Sequence, residues 1–260
     1  MQRLSLSTTK KLNNGIEIPI LGLGVWQMAR GQETEEAVRR ALEVGYRHID
    51  TAKLYRNEES VGKAVLESPL PREDVFITTK LWSTDAFDVE GAFATSLQKL
   101  GLGYVDLYLI HWPVPLFGNR VWKQLERLYD QKLVRAIGVS NYNVSQLKEL
   151  LAFANVPPAV NQVEFNAFNH YREMLDYCTA HQIALEAYSP LTRGTQLDDE
   201  RLVKIGMHYG KNPAHVLLRW VIEKGAIAIP KSSNAQRIGE NADIFDFELT
   251  KEDTFTLDNL

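Results

Sequence analysis

Between positions 48 and 58 the chain reads HIDTAKLYRNE, and the residues in it that could do chemistry are Asp50 and Tyr55. The stretch has no clean helical or strand periodicity, so packing alone does not account for its residue types. Further along, Lys80 closes the run FITTK and His111 the run LYLIH. A carboxylate, a phenol, an ammonium and an imidazole in one place can carry out acid–base work. A phenol near pKa 10 is a poor proton donor at neutral pH, but a cation about 4 Å away at an effective dielectric near 20 favours the phenolate by up to roughly 4 kcal/mol. That amounts to about three pK units before desolvation opposes it. On this reading Asp50 holds the Lys80 ammonium, Lys80 acidifies Tyr55, and Tyr55 gives up a proton while a neutral His111 orients the oxygen receiving it. Singly, each residue has an ordinary role as a cap, a packed ring, a solvated strand end or a core histidine. Only a fold that gathers all four makes them a site.

The elements that must do the gathering are eight short β-rich apolar runs: IPILGLG, YRHID, DVFITT, VDLYLIH, LVRAIGVS, AVNQVEF, IALEAYS and AIAIP. They are near-continuously apolar rather than alternating, which implies burial on both faces, as in a parallel sheet covered by helices. Helical spacing fills several of the gaps: Ala37, Val38, Ala41 and Leu42 before Gly45; Ala92, Phe93, Ser96, Leu97 and Leu100 before Gly101; Val144, Leu147, Leu150, Leu151 and Ala154. Eight such units in this length predict an α/β fold of the closed (β/α)8 TIM-barrel type. The rival, an open doubly wound sheet, ordinarily carries G-x-G-x-x-G after its first strand. Here Gly22-x-Gly24 is followed by Gln27, and Gly101-x-Gly103 by Asp106, where the third glycine should stand. The preceding LSLSTTKKLNNGIEIP has Asn14-Gly15 between short flanks and reads as a β-hairpin at the barrel bottom. Extra helices are expected near the C-terminus over about 198–209 and 213–224, and residues 1–260 read as a single barrel domain.

Composition narrows the class of function. With 260 residues, 45% hydrophobic content and a net charge of −4, the chain can bury a large core and lacks the basic excess expected of a nucleic-acid binder. One cysteine, Cys178, excludes an internal disulfide framework and suits a reducing cytoplasm. No run is long and apolar enough for a membrane span, and no N-terminal leader pattern is visible. Six histidines form no metal-binding pair, so no metal is expected. A cytoplasmic monomer acting on a small molecule is the expectation.

In a barrel of this kind, function sits at the carboxyl ends of the strands. The first polar groups there are Asp50 with Tyr55, Lys80, His111, Ser140 with Asn141, Asn161 with Gln162, Tyr188 with Ser189, and Lys231 with Ser232. The blocks GYRHIDTAKLYRNE, FITTKLW, LYLIHWP, VRAIGVSNYN, NQVEF, AYSPL and IPKSSNAQRIGEN, in this order along nearly the whole chain, resemble the aldo-keto reductase family, in particular its short prokaryotic diketogluconate and aldehyde reductases. The resemblance implies reduction of a carbonyl to an alcohol, with Tyr55 as proton donor and Asp50, Lys80 and His111 completing a tetrad. It implies a nicotinamide stacked on Tyr188, its carboxamide near Ser140, Asn141 and Gln162, with Ser189 in the same rim. Lys231, Ser232 and Arg237 match the family's site for the adenosine 2′-phosphate, and Glu240 and Asn241 lie near the adenine. NADPH is therefore expected over NADH. The start of a short helix in KSSNAQRIGEN, with its free N–H groups, suits a phosphate on independent grounds.

Trp26, Trp82 and Trp112 follow the first, third and fourth strands and could wall an apolar substrate pocket, with Tyr55 and His111 at its polar end. Many relatives continue past the last helix with a loop that closes the pocket, whereas this sequence stops at TLDNL; the loops VPLFGNR and LTRGTQLDD are also brief. A more open site, broad specificity and looser cofactor retention are expected. Two other readings compete: a non-catalytic NADPH-binding regulatory or structural barrel, and a lyase forming a Schiff base on Lys80 or Lys231.

Overall fold

A computed structural model describes residues 4–114 and 118–260. It opens with the hairpin β1 (Thr9–Lys11) and β2 (Glu17–Pro19), paired antiparallel with Lys10 opposite Ile18. Gly15 turns it, at φ +87°, a left-handed conformation that glycine adopts without a Cβ clash.

Strands and helices then alternate. In order they are β3 (Leu23–Gly24), α1 (Gln32–Val44), β4 (His48–Asp50), α2 (Glu58–Leu66), β5 (Phe76–Leu81), α3 (Val89–Leu100), β6 (Val105–Ile110) and α4 (Gly118–Asp130). There follow β7 (Val134–Ser140), α5 (Val144–Phe153), β8 (Val160–Glu164), α6 (Arg172–Ala180), β9 (Ala184–Tyr188), α7 (Glu200–Tyr209), α8 (Pro213–Glu223), β10 (Ile227–Ala228), α9 (Ala235–Ala242) and α10 (Lys251–Leu257). Gly45 and Gly101 end α1 and α3 in the left-handed conformation.

β3 to β10 form one parallel sheet in sequence order. The sheet closes on itself through the bridges Leu21 to Ala228 and Gly24 to Lys231, with Gly22 N donating to Ala228 O and Gly24 N to Pro230 O. A Cβ at position 24 would lie 2.9 Å from Ile229 O, so the seam requires glycine there. The predicted (β/α)8 barrel is present, but two runs shrink. Of IPILGLG only Leu23–Gly24 is barrel strand, because Glu17–Pro19 pairs in the hairpin; of AIAIP only Ile227–Ala228 is strand.

The period of two sorts each strand's residues by face. Phe76, Leu107, Leu109, Ala136, Val160, Ala184 and Ile227 fill the lower barrel with Leu12 and Ile18 from the hairpin. Asn13 Nδ2 donates to Pro158 O, just ahead of β8, and Asn14 Nδ2 to Arg135 O, at the start of β7, so the hairpin plugs the bottom. The opposite faces pack on the helices. Continuing inward positions two by two up β4, β5, β8 and β9 reaches His48 and Asp50, Thr78 and Lys80, Gln162, and Glu186. The upper half of the barrel is polar and the lower half apolar.

Candidate active site

Above the apolar half lies a cavity of about 620 Å³. Asp50, Tyr55 and His111 line it, and Lys80 lies behind them with no exposed surface. Its Nζ donates to Asp50 Oδ1 at 2.6 Å, to Thr51 O at 2.9 Å and to Tyr55 Oη at 3.3 Å. An ammonium has three protons, and these three acceptors use them all. Tyr55 rides on a single 3₁₀ turn, Lys53–Tyr55, that follows β4. Asn57 ties this turn down: its Oδ1 accepts from Thr51 Oγ1, and its Nδ2 donates to Val25 O and Met28 O in the loop after β3. His111 packs edge-on between the rings of Tyr55, at 5.6 Å, and Trp82, at 5.3 Å.

Electrostatics correct one expectation. Burial raises the Tyr55 phenol above its ordinary value; Lys80 pulls it down, Asp50 and Glu186 push it back, and the net shift is upward. The Lys80 ammonium lowers Tyr55 as expected, but burial outweighs it in the resting site. The physical reason is burial first, with Asp50 and then Glu186, a fully buried carboxyl on β9 that sequence reasoning did not weigh, adding to it. Burial pulls Lys80 down, but Asp50 and Tyr55 more than offset that and it stays above its ordinary value. Burial raises Asp50 despite Lys80. Burial and then Lys80 push His111 down to about 3, so it is a neutral imidazole at neutral pH.

The strand tops are cross-braced. Ser140 Oγ donates to Gln162 O, Asn141 Nδ2 to His111 O and to Ser140 Oγ, and Tyr188 Oη to Asn141 Oδ1. Gln162 Nε2 donates to both Asp50 Oδ2 and Glu186 Oε2, while its oxygen accepts nothing from the described residues. Asn141 and Ser189 take left-handed conformations at φ 63° and 50°, just after β7 and β9 end.

At the seam, Ser232 and Asn234 form the cap of α9, whose first turn is closed by Arg237 N donating to Asn234 Oδ1. Lys231, Ser232, Arg237, Glu240 and Asn241 all line the cavity, as do Ser140, Asn141, Gln162, Tyr188 and Ser189. Among the described residues neither Lys231 nor Arg237 forms an ion pair, so both cations lining the cavity can serve an anion. Trp26 and Trp112 also line the cavity and are partly exposed, at 37% and 47%. Trp82 is not among the lining residues; its ring backs His111 instead. The guanidinium of Arg193, from the loop after β9, lies 5.2 Å over the Trp26 ring and also lines the cavity. The loop VPLFGNR lies partly outside the described residues.

Sequence reasoning missed Glu186, His48, Asn57 and Arg193. A signal existed for the first two. Glu186 is the only carboxylate within IALEAYS, and His48 is two residues from Asp50, on the same inward face. Among the described residues there is no cluster of three or more His, Cys, Asp or Glu able to hold a metal, and no helix long and apolar enough to cross a membrane.

Comparison with known proteins identifies the family. The model for the "Aldo/keto reductase family" matches residues 20–260. The chain is 48% identical over 258 residues to the glyoxal reductase of Bacillus subtilis (strain 168), covering 98% of this chain and 94% of that protein. A crystal structure of an aldo/keto reductase from Brucella melitensis superposes with a TM-score of 0.93 at 45% identity, covering 97% of this chain and 98% of that one. An aldo-keto reductase crystallised in complex with NADPH superposes with a TM-score of 0.92 at 40% identity, covering 97% and 87%.

Proposed function

The chain belongs to the aldo/keto reductase family, and from that premise we propose that it reduces small aldehydes and ketones to alcohols with NADPH, α-dicarbonyls among them. The donor set suits such a cofactor. Tyr188 lines the cavity, Gln162 keeps an amide oxygen open for a carboxamide N–H, and Lys231 and Arg237 are unpaired cations beside a helix cap where a phosphate is favoured. Bound there, the reduced nicotinamide supplies a hydride to the carbonyl carbon.

The chain's own residues do the rest. Because Tyr55 Oη accepts from Lys80, its own proton is left for an acceptor in the cavity; this single observation carries the reading. Neutral His111, beside the Tyr55 ring, orients the carbonyl oxygen by a hydrogen bond. Tyr55 then protonates that oxygen as negative charge grows on it, and the adjacent Lys80 charge stabilises the phenolate that remains. Trp26 and Trp112 offer an apolar wall suited to a small uncharged substrate.

A Schiff-base lyase is a poorer match. It needs a neutral amine, whereas Lys80 is buried, hydrogen-bonded three times and held above its ordinary pKa.

The test is NADPH oxidation, followed by absorbance, with a panel of aldehydes and α-dicarbonyls. Wild type should turn over, and Tyr55→Phe should bind the cofactor without turning over. Equal rates in the two would remove Tyr55 as the donor; cofactor binding with no turnover in the wild type would favour a regulatory barrel.

A further inference from the structure

Gln162 is held by two carboxyl groups. One Nε2 hydrogen goes to Asp50 Oδ2 at 2.9 Å and the other to Glu186 Oε2 at 2.7 Å. The amide is therefore held one way round, since a flip would set its oxygen against the Asp50 carboxylate and give up the bond to Glu186 Oε2. Only Oε1 is left to face the cavity.

Glu186 itself has no exposed surface, and its Oε1 has no hydrogen-bond partner. The groups around it can be named strand by strand. β4 brings His48 and Asp50; β5 brings Thr78 and Lys80; the turn after β4 brings Tyr55. On the near side, β8 brings Gln162 with Glu164 above it, β9 itself carries Tyr188, and β10 brings no titratable group. Lys80 is the one permanent cation in this set, and its three protons go to Asp50, Thr51 and Tyr55. His48 Nε2 is 3.5 Å from Glu186 Oε1, too far to bond, and pairs with Thr78 Oγ1 at 3.1 Å. The barrel centre thus holds two carboxyl groups and one ammonium, already matched to one of them. A second buried carboxylate without a cation of its own carries a large desolvation penalty.

We propose that Glu186 is a positioning residue that works as the neutral acid: it fixes the Gln162 amide with its oxygen toward the nicotinamide carboxamide, and its deprotonation disables the site by adding negative charge beside Asp50 and Tyr55. This rests on the carbonyl-reductase reading given above. Burial, and then Asp50, push the Glu186 carboxyl up to about 8, in keeping with a neutral acid at physiological pH. His48, pushed down to about 3 by burial and then by Lys80, supplies no charge to oppose this.

Infrared spectroscopy of the full chain, without cofactor or substrate, reads the proton directly. The wild type should show a protonated-carboxyl C=O band at neutral pH that Glu186→Gln lacks and that fades as pH rises through about 8. No difference between the two spectra at neutral pH overturns the inference. Two further readouts separate positioning from mere support of the fold. Glu186→Leu, which strands one Gln162 N–H, should weaken NADPH binding roughly tenfold, and Glu186→Gln, which restores an acceptor, should recover most of that loss. The alkaline limb of kcat/KM should move to higher pH in Glu186→Gln. Unchanged NADPH affinity in a folded Glu186→Leu, or an alkaline limb that stays in place, counts against the proposal. Because the infrared band needs no turnover, its absence would sink this inference alone, whereas a wild type that binds NADPH but turns over no carbonyl would sink the functional reading and leave the band untouched.

Discussion

Lys80 donates a hydrogen bond to Tyr55 at 3.3 Å, yet the phenol it touches is held less acidic than a free tyrosine. The pair is thus set for a charge not yet present. In the resting site Tyr55 keeps its proton, as a donor must. Once an alkoxide forms in the cavity, a base far stronger than phenolate, transfer runs downhill and the ammonium meets the new negative charge at once. An interaction stronger in the transition state than in the ground state is what accelerates a reaction.

Removing the proton donor should therefore act on rate and spare binding. Tyr55→Phe should lower kcat by about 10²–10⁴-fold, the usual contribution of a general acid, with the NADPH dissociation constant little changed. Single-turnover absorbance and fluorescence titration measure the two separately.

Lys80 also has a structural duty, and a double variant can separate the two roles. Lys80→Met leaves Asp50 buried and unmatched, which should destabilise the fold by about 3–5 kcal/mol. In Asp50→Leu combined with Lys80→Met, both partners are apolar and much of that loss should return, while turnover stays abolished. Urea unfolding of the four members of the cycle gives the coupling directly.

Arg237 and Lys231 both line the cavity and neither forms an ion pair among the described residues, although Lys231 lies in the field of Glu33. Arg237→Ala should weaken NADPH by about 1.5–3 kcal/mol, roughly tenfold to a hundredfold, and leave NADH nearly unaffected. The ratio of the two dissociation constants is the measurement. An equal loss for both cofactors would detach Arg237 from the 2′-phosphate.

The buried histidines and Glu186 predict a peaked stability profile. His48 and His111 sit at about 3 in the fold against 6.5 unperturbed, so between those values the unfolded chain binds more protons. Their contribution is lost as pH falls from about 6.5 toward about 3. Glu186 has the opposite sense: between 4.5 and about 8 the native state binds the extra proton, so stability falls as pH rises through that window. Asp50, also raised, adds to the falling side. The sum is a maximum on the acid side of neutrality, which urea midpoints across pH would locate. His48→Gln should flatten the acid limb and Glu186→Gln the neutral-to-alkaline one.

Much of this was legible in the sequence because a parallel barrel leaves simple marks. Continuous apolar runs announced strands buried on both faces, and Asp50, Lys80 and His111 stood out as the polar residues that end them. The hairpin showed itself through Asn14-Gly15. What stayed hidden was whatever depends on neighbours across the barrel. Glu186 lies inside a strand run, and nothing local says that Asp50 and Gln162 converge on it from other strands. Nor does the sequence say how deeply Tyr55 is buried, and burial is what sets the sign of the balance on its phenol. Trp82 follows its strand just as Trp112 does, but only three-dimensional packing sends one ring behind His111 and leaves the other at the cavity. The first and last barrel strands looked longer than they are because apolar residues in the hairpin and at the seam extend the same runs.

The ring of strands is stitched shut where its beginning meets its end, through Gly24 and Lys231. The same lysine leads into Ser232 and Arg237, so any ligand that grips this edge also ties the head of the chain to its tail. Occupancy should then be felt throughout the barrel wall: breathing at this join slows when the groove is filled, and the backbone amides of Gly22, Gly24 and Ala228 should exchange with solvent more slowly in the loaded protein.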